Sequence, residues 1–396
     1  MLQEIDREKC TGCGSCFKSC GLDVFRLDTD QPSVAPCQWA CPTGVDIRGY
    51  VYLLQQGKIR DAAEILMAAN PLPALTGRTC HRFCEGKCAR TKVDDAVNIN
   101  ALEQYVGDWV LGRSPEPGFI RHIGKIGVIG SGAAGMSCAY YLNRKGYAVT
   151  VFESEEQPGG LFRTAYPELA SGVLDSQIDY LGKLGIVFEC GVTVGDGREV
   201  TLGQLREKDY KAFLLAVGAA EDKTKRAVPP FSSVASITED SLISVSPGAY
   251  VTSSKDVFAA GNATGGGNSV AHAIAGGREA AESIDRHING WHLLEGRGDA
   301  KIRLEDPPGA GIKSVPRLNR SSLTWREKGD QGFVFEEMLE ESQRCMTCGS
   351  KAFAAFRDDC MNCYTCEMTC PEGAVVVHPF KENLPRTIPY ETEGVR

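Results

Sequence analysis

The sequence predicts an α/β nucleotide-binding domain set among cysteine-bearing segments, one helical and the other divided between the two ends of the chain. Three observations predict it. A strand pattern runs into a glycine turn and a helix pattern at residues 125–145. Nine of the 17 cysteines lie before residue 89 and six after residue 344, and the outermost groups share one spacing. Between them, helical patterns such as 47–56 and 58–69 surround a further cysteine group.

The 396 residues allow two or three domains. A hydrophobic share of 42% and a charged share of 24% describe a globular chain. The net charge of −8 supplies no basic face, so no nucleic-acid partner is expected. Apolar runs such as 373–377 are strand-sized, so no membrane span is expected. Residues 1–9 are acidic and polar rather than leader-like, and the expected compartment is the cytoplasm. In that setting clustered cysteines point to metal ligands rather than disulfides.

Five stretches follow along the chain. Residues 1–30 hold the first half of a terminal cysteine domain, and 31–115 a helical cysteine domain. Residues 116–290 form the nucleotide-binding domain, and 291–344 a connector ending in a helix near 335–344. Residues 345–396 carry a cysteine pair and the second half of the terminal domain.

In the first stretch Cys10, Cys13, Cys16 and Cys20 read C-x2-C-x2-C-x3-C; in the last, Cys360, Cys363, Cys366 and Cys370 repeat it. That spacing wraps three irons of a cubane and sends the fourth thiolate into a helix. A structural zinc site would use two pairs instead. Each half, about 25 residues, is too small to bury a core alone. The termini are therefore expected to meet as a split, two-[4Fe-4S] ferredoxin-like domain. One cluster takes Cys10, Cys13, Cys16 and Cys370, and the other Cys20, Cys360, Cys363 and Cys366. Two independent one-cluster modules remain the alternative. Gly21 stands where such quartets usually place a proline.

The second stretch carries Pro36, Cys37, Cys41 and Pro42, then Asn70 and Pro71, then Cys80, Cys84 and Cys88. It resembles the helical two-cluster domain of the glutamate synthase small subunit and of dihydropyrimidine dehydrogenase. That family places a Cys-x2-Cys pair just before the Pro-Cys segment, where this chain has none. Here Cys345 and Cys348 follow a helix near the other end, and we read them as the same pair relocated. The resemblance implies one cluster on Cys37, Cys88, Cys345 and Cys348, and another on Cys41, Cys80, Cys84 and Glu103. Glu103 stands where the family has a Gln or Glu ligand; the alternative is one more solvated helix glutamate. Fifteen cysteines and Glu103 make sixteen ligands, enough for four cubanes. Cys138 and Cys190 read as structural thiols, and His81 as a residue packing beside its cluster.

In the third stretch Gly130 permits the tight turn, Gly132 admits a pyrophosphate to the backbone, and Gly135 lets helix and strand approach. Ala133 and Ala134 open the helix whose N-terminus faces the phosphates, and Glu153 ends the next strand, placed for ribose hydroxyls. This fingerprint alone serves FAD or NAD equally. Gly160 and Leu161, then Gly261, Asn262, Ser269 and Val270, resemble the flavin-side loops of the glutamate synthase small subunit, which implies an FAD-binding Rossmann-type domain. Asn262 replaces the usual Asp of that family. The family inserts a nicotinamide domain between the strand at 212–217 and the one reaching Phe258; here only about forty residues intervene, far short of such a unit.

FAD and four [4Fe-4S] clusters in one chain imply a converter between one- and two-electron carriers. No catalytic side-chain set is recognisable. The chain is similar to flavin/iron–sulfur subunits of phenylglyoxylate-type dehydrogenases and tungsten aldehyde oxidoreductases. That similarity implies an electron-transfer subunit beside larger 2-oxoacid or aldehyde oxidoreductase subunits, or a ferredoxin, with NAD left open as final acceptor. The alternative is a stand-alone NAD(P)H-dependent ferredoxin reductase or glutamate-synthase-like small subunit; a metal-stabilised scaffold is a third, non-enzymatic class.

Overall fold

The computed structural model describes residues 2–7, 9–10, 12, 15–22, 24–27, 33–118, 124–218, 231–267, 269–297, 302–303, 314–317, 332–349, 351–370 and 373–377. The chain divides into two compact units. The smaller comprises Met1–Pro36, Ala300–Ala310 and Met346–Arg396; the larger comprises Cys37–Asp299 and Gly311–Cys345. Strands and helices are numbered along the chain.

In the smaller unit the two ends of the chain are interleaved. Strand β1 (Leu2–Ile5) pairs antiparallel with β11 (Val375–Val377), bringing Leu2 opposite Val377 and Ile5 opposite Val375. Strand β2 (Phe25–Leu27) pairs antiparallel with β10 (Ala352–Ala354). A short parallel contact joins β3 (Ser33–Val34) to β9 (Ile302–Arg303). Helices α1 (Ser15–Ser19) and α13 (Thr365–Thr369) follow equivalent cysteines, and Ser19 Oγ lies 3.1 Å from Thr369 Oγ1. Two-stranded ribbons are marginal by themselves. Their shared core is small: Leu2, Val24, Phe25, Ala352, Ala374, Val375 and Val377, completed by Cys10, Cys16 and Cys366.

The larger unit begins with helices. Helix α2 (Pro36–Ala40) carries Cys37. Helix α3 (Ile47–Gln55) starts where the Asp46 carboxylate accepts the Gly49 amide at 3.1 Å. It buries Ile47, Tyr50, Val51 and Leu54, the spacing of one helical face. Helix α4 (Ile59–Ala69) answers with Ala62, Ala63, Leu66 and Met67. Helix α5 (Pro73–Thr79) opens on a proline that has no amide to leave unpaired, and α6 (Ile99–Leu111) crosses it closely. The crossing depends on two glycines. A Cβ at Gly107 would stand 2.2 Å from the Ala74 nitrogen, and one at Gly77 2.6 Å from the Gln104 Cα. Helix α12 (Phe335–Gln343) also belongs here; Gln55 Nε2 donates to Ser342 O at 2.8 Å, and Met338 is fully buried.

The rest of this unit is a five-stranded parallel sheet in the order β6–β5–β4–β7–β8. Its strands are β4 (Lys125–Ile129), β5 (Ala148–Phe152), β6 (Val187–Glu189), β7 (Tyr210–Leu215) and β8 (Val257–Ala259). Helix α7 (Ala133–Arg144) joins β4 to β5, while α8 (Leu161–Ala165) and α9 (Asp175–Lys183) lie between β5 and β6. Helix α10 (Leu202–Glu207), closed by a Thr201–Gln204 capping box, leads into β7. Helix α11 (Val270–Ile288) follows β8 and packs on α7, where Gly277 admits the Ala134 carbonyl and Ser137 Oγ donates to Ile274 O at 2.8 Å. Doubly wound parallel sheets of this kind place their ligand sites beyond the strands' carboxyl ends.

Several boundaries differ from the sequence reading by one or two residues, because terminal turns lack a full set of backbone bonds. The strand expected at 212–217 runs from Tyr210 to Leu215, and the helices expected to reach 56, 145 and 344 end at Gln55, Arg144 and Gln343. Between β7 and β8 the described residues 231–256 form turns and isolated bridges, with Phe231, Val234, Ala235 and Ile243 buried in the sheet's second core. Among the described residues no helix is long and apolar enough to cross a membrane.

Candidate cofactor cavity and cysteine centres

A cavity of about 890 Å³ opens beyond the carboxyl ends of β4, β5 and β8. Gly130, Gly132, Ala133, Ala134, Glu153, Gly160, Leu161, Asn262, Ser269 and Val270 all line it. Gly130 turns at φ 101°, and a Cβ there would strike the Ala216 carbonyl at 2.4 Å. At Gly132 nothing stands within 4 Å of where a Cβ would be, so a phosphate can reach the backbone there. Gly135 and Gly261 lie behind the wall. A Cβ on Gly135 would meet the Gly130 carbonyl at 2.0 Å, and one on Gly261 the Ala134 Cβ at 2.8 Å.

Glu153 braces the turn as well as facing the cavity. Its carboxylate accepts the Ser131 amide at 3.0 Å, the Ser131 hydroxyl and the Glu155 amide at 3.1 Å. The Ser131 hydroxyl oxygen in turn accepts the Gly159 amide at 2.7 Å, tying the glycine turn to the Gln157–Leu161 loop. Ser269 caps α11 by accepting the His272 amide, and its hydroxyl lies 2.7 Å from His272 Nδ1. The far wall holds residues that the sequence reading did not single out: Arg163, Tyr166, Arg198 and Phe231. Only Arg163 had a signal, its place just after Gly160; Phe231 enters through a loop with no motif. His81, next to Cys80 in the chain, also lines the cavity.

The close crossing of α5 and α6 puts Glu103 against Asn70 and Thr76. Glu103 Oε1 accepts Asn70 Nδ2–H at 2.9 Å and the Thr76 hydroxyl. Burial, assisted by the charge of Glu85, pushes the Glu103 carboxyl up to about 7 against the pull of the Thr76 and Asn70 bonds. Cys80 is pushed up to about 11, first by burial and then by the charges of Glu103 and Cys41. Cys84 is raised by burial, then by Glu103, Cys41, Glu85 and Cys37. Two thiols whose ionisation the neighbouring Glu103 carboxylate opposes, with Cys41 beside them, form a donor set suited to a cationic centre. Tyr50, fully buried, stands in the same field. Cys88 is buried too, with the amides of Val97 and Arg90 directed at its sulfur. Cys37, Cys88 and Cys345 fall in the larger unit and Cys348 in the smaller.

In the smaller unit Cys13 lies outside the described residues. Cys10 Sγ accepts the Ala352 amide at 3.2 Å, and Cys370 Sγ accepts the Ala374 amide at 3.2 Å. Such N–H···S bonds tune cluster thiolates. Cys366 is pushed up to about 11 by burial and then by Cys360, Cys363 and Cys20, so Cys20 stands with three thiols of the other quartet. Cys363 is exposed and lies below the usual thiol range, held there by the Thr365 hydroxyl and amide. None of the described cysteines is in a disulfide. Among the described residues no three His, Cys, Asp or Glu groups crowd closely enough for a single metal ion; in a cubane each ligand binds a different iron. Cys138 is fully buried in α7, and Cys190 follows β6.

Residues 31–114 match the family described as dihydropyrimidine dehydrogenase domain II, 4Fe-4S cluster. Residues 128–181 match the NAD(P)-binding Rossmann-like domain, and residues 4–26 the 4Fe-4S binding domain. The NAD-dependent dihydropyrimidine dehydrogenase subunit PreT of Escherichia coli (strain K12) is 34% identical over 46% of this chain and 45% of its own length. The NADPH-Fe(3+) oxidoreductase subunit beta of Geobacter sulfurreducens is 32% identical over 48% of this chain and 29% of its own. The chain thus spans less than half the length of these curated relatives. Mycobacterium tuberculosis FprA in complex with NADPH is similar at 27% identity, over 25% of this chain and 23% of that one, with a TM-score of 0.22. The chain thus carries matches to the dihydropyrimidine dehydrogenase domain II, a 4Fe-4S binding domain and an NAD(P)-binding Rossmann-like domain, and over about half its length it is similar to iron–sulfur oxidoreductase subunits.

Proposed function

We propose that this chain is the electron-transfer subunit of a multisubunit oxidoreductase, relaying electrons between a partner's substrate site and FAD through four [4Fe-4S] clusters, with NAD as acceptor at the flavin. Its partners are larger subunits of 2-oxoacid or aldehyde oxidoreductase type, or a ferredoxin. The carrying observation is that two strand-to-helix connections, through Gly130–Ala134 and through Asn262 and Ser269, line one cavity. A lone nicotinamide fingerprint needs only the first.

FAD supplies one- and two-electron exchange and the clusters one-electron exchange. The chain's own residues hold and shield them. Gly132 and the start of α7 receive the pyrophosphate, and Glu153 fixes the turn beside it. Asn262, Ser269 and the N-terminus of α11 offer polar groups and a positive dipole end at the other part of the cavity. Leu161, Tyr166 and Val270 present apolar surface that excludes water. Cys41, Cys80, Cys84 and Glu103 form one ligand set, and Cys37, Cys88, Cys345 and Cys348 another. In the terminal unit the grouping of Cys20 with Cys366 supports exchange of the fourth ligand between quartets.

Anaerobic purification tests this reading: one FAD and about sixteen irons per chain are expected, with larger oxidoreductase subunits co-purifying. A nicotinamide nucleotide bound in place of FAD, or zinc in place of iron, overturns it. The NAD and NADPH dependence of the relatives supports a second reading, a stand-alone NAD(P)H-dependent reductase. It predicts that NADH or NADPH alone bleaches the flavin absorbance of the isolated chain. The short span between β7 and β8 counts against it, since those 41 residues (216–256) cannot house a second nucleotide domain.

A further inference from the structure

Among the described residues Arg344 is the largest fully buried side chain, 1% exposed, and it immediately precedes Cys345. A buried guanidinium has five N–H donors, and each needs an acceptor. All five find one. Nε donates to Val315 O at 3.1 Å. Nη1 donates to Ala96 O at 3.1 Å and to Glu341 Oε1 at 2.7 Å. Nη2 donates to Asp94 Oδ1 at 2.8 Å and to Asp95 O at 2.6 Å. The Arg344 carbonyl in turn accepts Arg90 Nη1–H at 2.9 Å, and Arg90 grips Asp94 through two bonds of 2.7 Å. The Glu341 carboxylate also accepts the Asn98 amide at 2.8 Å.

These contacts have one geometric result. The turn 94–98 and Arg90 provide the two amides, of Val97 and Arg90, that point at the Cys88 sulfur. Arg344 holds that turn from the other side while its own backbone leads into Cys345. Two lengths of chain separated by some 250 residues are thereby locked in register at the point where each delivers a cysteine.

We propose that Arg344 is the positioning residue of a cluster centre, setting Cys345 against the Cys88 turn through its five-donor fork. This rests on the reading above that Cys88 and Cys345 serve the same cluster. Lysine keeps the charge but cannot reproduce a planar fork. Loss of such supporting bonds typically weakens metal binding about 10- to 100-fold.

The test uses the full chain, reconstituted with iron and sulfide under anaerobic conditions. Iron release to a chelator and the electron paramagnetic resonance of the reduced protein are compared for wild type, Arg344→Lys and Cys345→Ser. In Arg344→Lys a quarter of the iron should leave about 10- to 100-fold faster, with one resonance component altered and the dinucleotide content unchanged. Wild-type release and spectrum overturn the proposal, and so does uniform acceleration from every cluster, which marks general loosening. Full iron in Cys345→Ser instead overturns the ligand assignment on which it rests. If the lysine variant does not accumulate, Glu341→Gln removes one of the two charge partners of the same fork and should give the same single-cluster change; unchanged release there also overturns the proposal.

Discussion

Glu103 illustrates how one side chain acquires its character from neighbours. On an exposed helix face it would be an ordinary glutamate; in the crossing of α5 and α6 it is desolvated and bonded to Thr76 and Asn70. Glu103→Ala should lower the iron content from about sixteen to about twelve per chain and leave FAD bound, measured by iron and flavin analysis. Asp94 shows the opposite shift. The bonds from Arg90 first, then the Val315 amide, the Arg90 charge and the Arg344 bond, hold its carboxyl well below the usual carboxylate range. Because the folded value is depressed, its stabilisation is present above the unfolded value of about 3.9 and fades as pH falls below it. Chemical unfolding at pH 5 and pH 3 should show a steeper loss in wild type than in Asp94→Asn.

At the scale of elements the deciding feature is how closely helices and turns approach. Gly107 lets α6 lie against the start of α5, and a side chain there must displace backbone rather than another side chain. Gly107→Val should destabilise the larger unit by about 1–3 kcal/mol and loosen the iron held near Glu103, read by thermal unfolding and iron retention. Much at this scale was legible in the sequence. The turn at Gly130, strand β5 and the start of α11 follow from glycine chemistry, alternating apolar residues and a capping serine. The cysteine spacings of the first two stretches pointed to the matched 4Fe-4S domains because ligand spacing is local in sequence. What escaped was non-local. Phe231 and Tyr166 reach the cavity through loops whose paths depend on the finished sheet, and the Gly77–Gly107 crossing has no motif. No motif in the sequence marks Arg344 as buried, and only the assembled turn at 94–98 gives its donors their acceptors.

For the whole molecule, the two units have separate cores and should respond separately to damage. Leu2 is buried opposite Val377, and Leu2→Asp would place an unpaired charge in a core of few apolar residues. Iron should then fall to about eight per chain while FAD remains bound, since the cavity is walled wholly by the larger unit. The pairing of β1 with β11 also sets an order of events in the cell. Leu2 is synthesised more than 370 residues before its partner strand at Val375–Val377. The segment bearing the first cysteine quartet therefore cannot complete its sheet pairing until the far strand has been made.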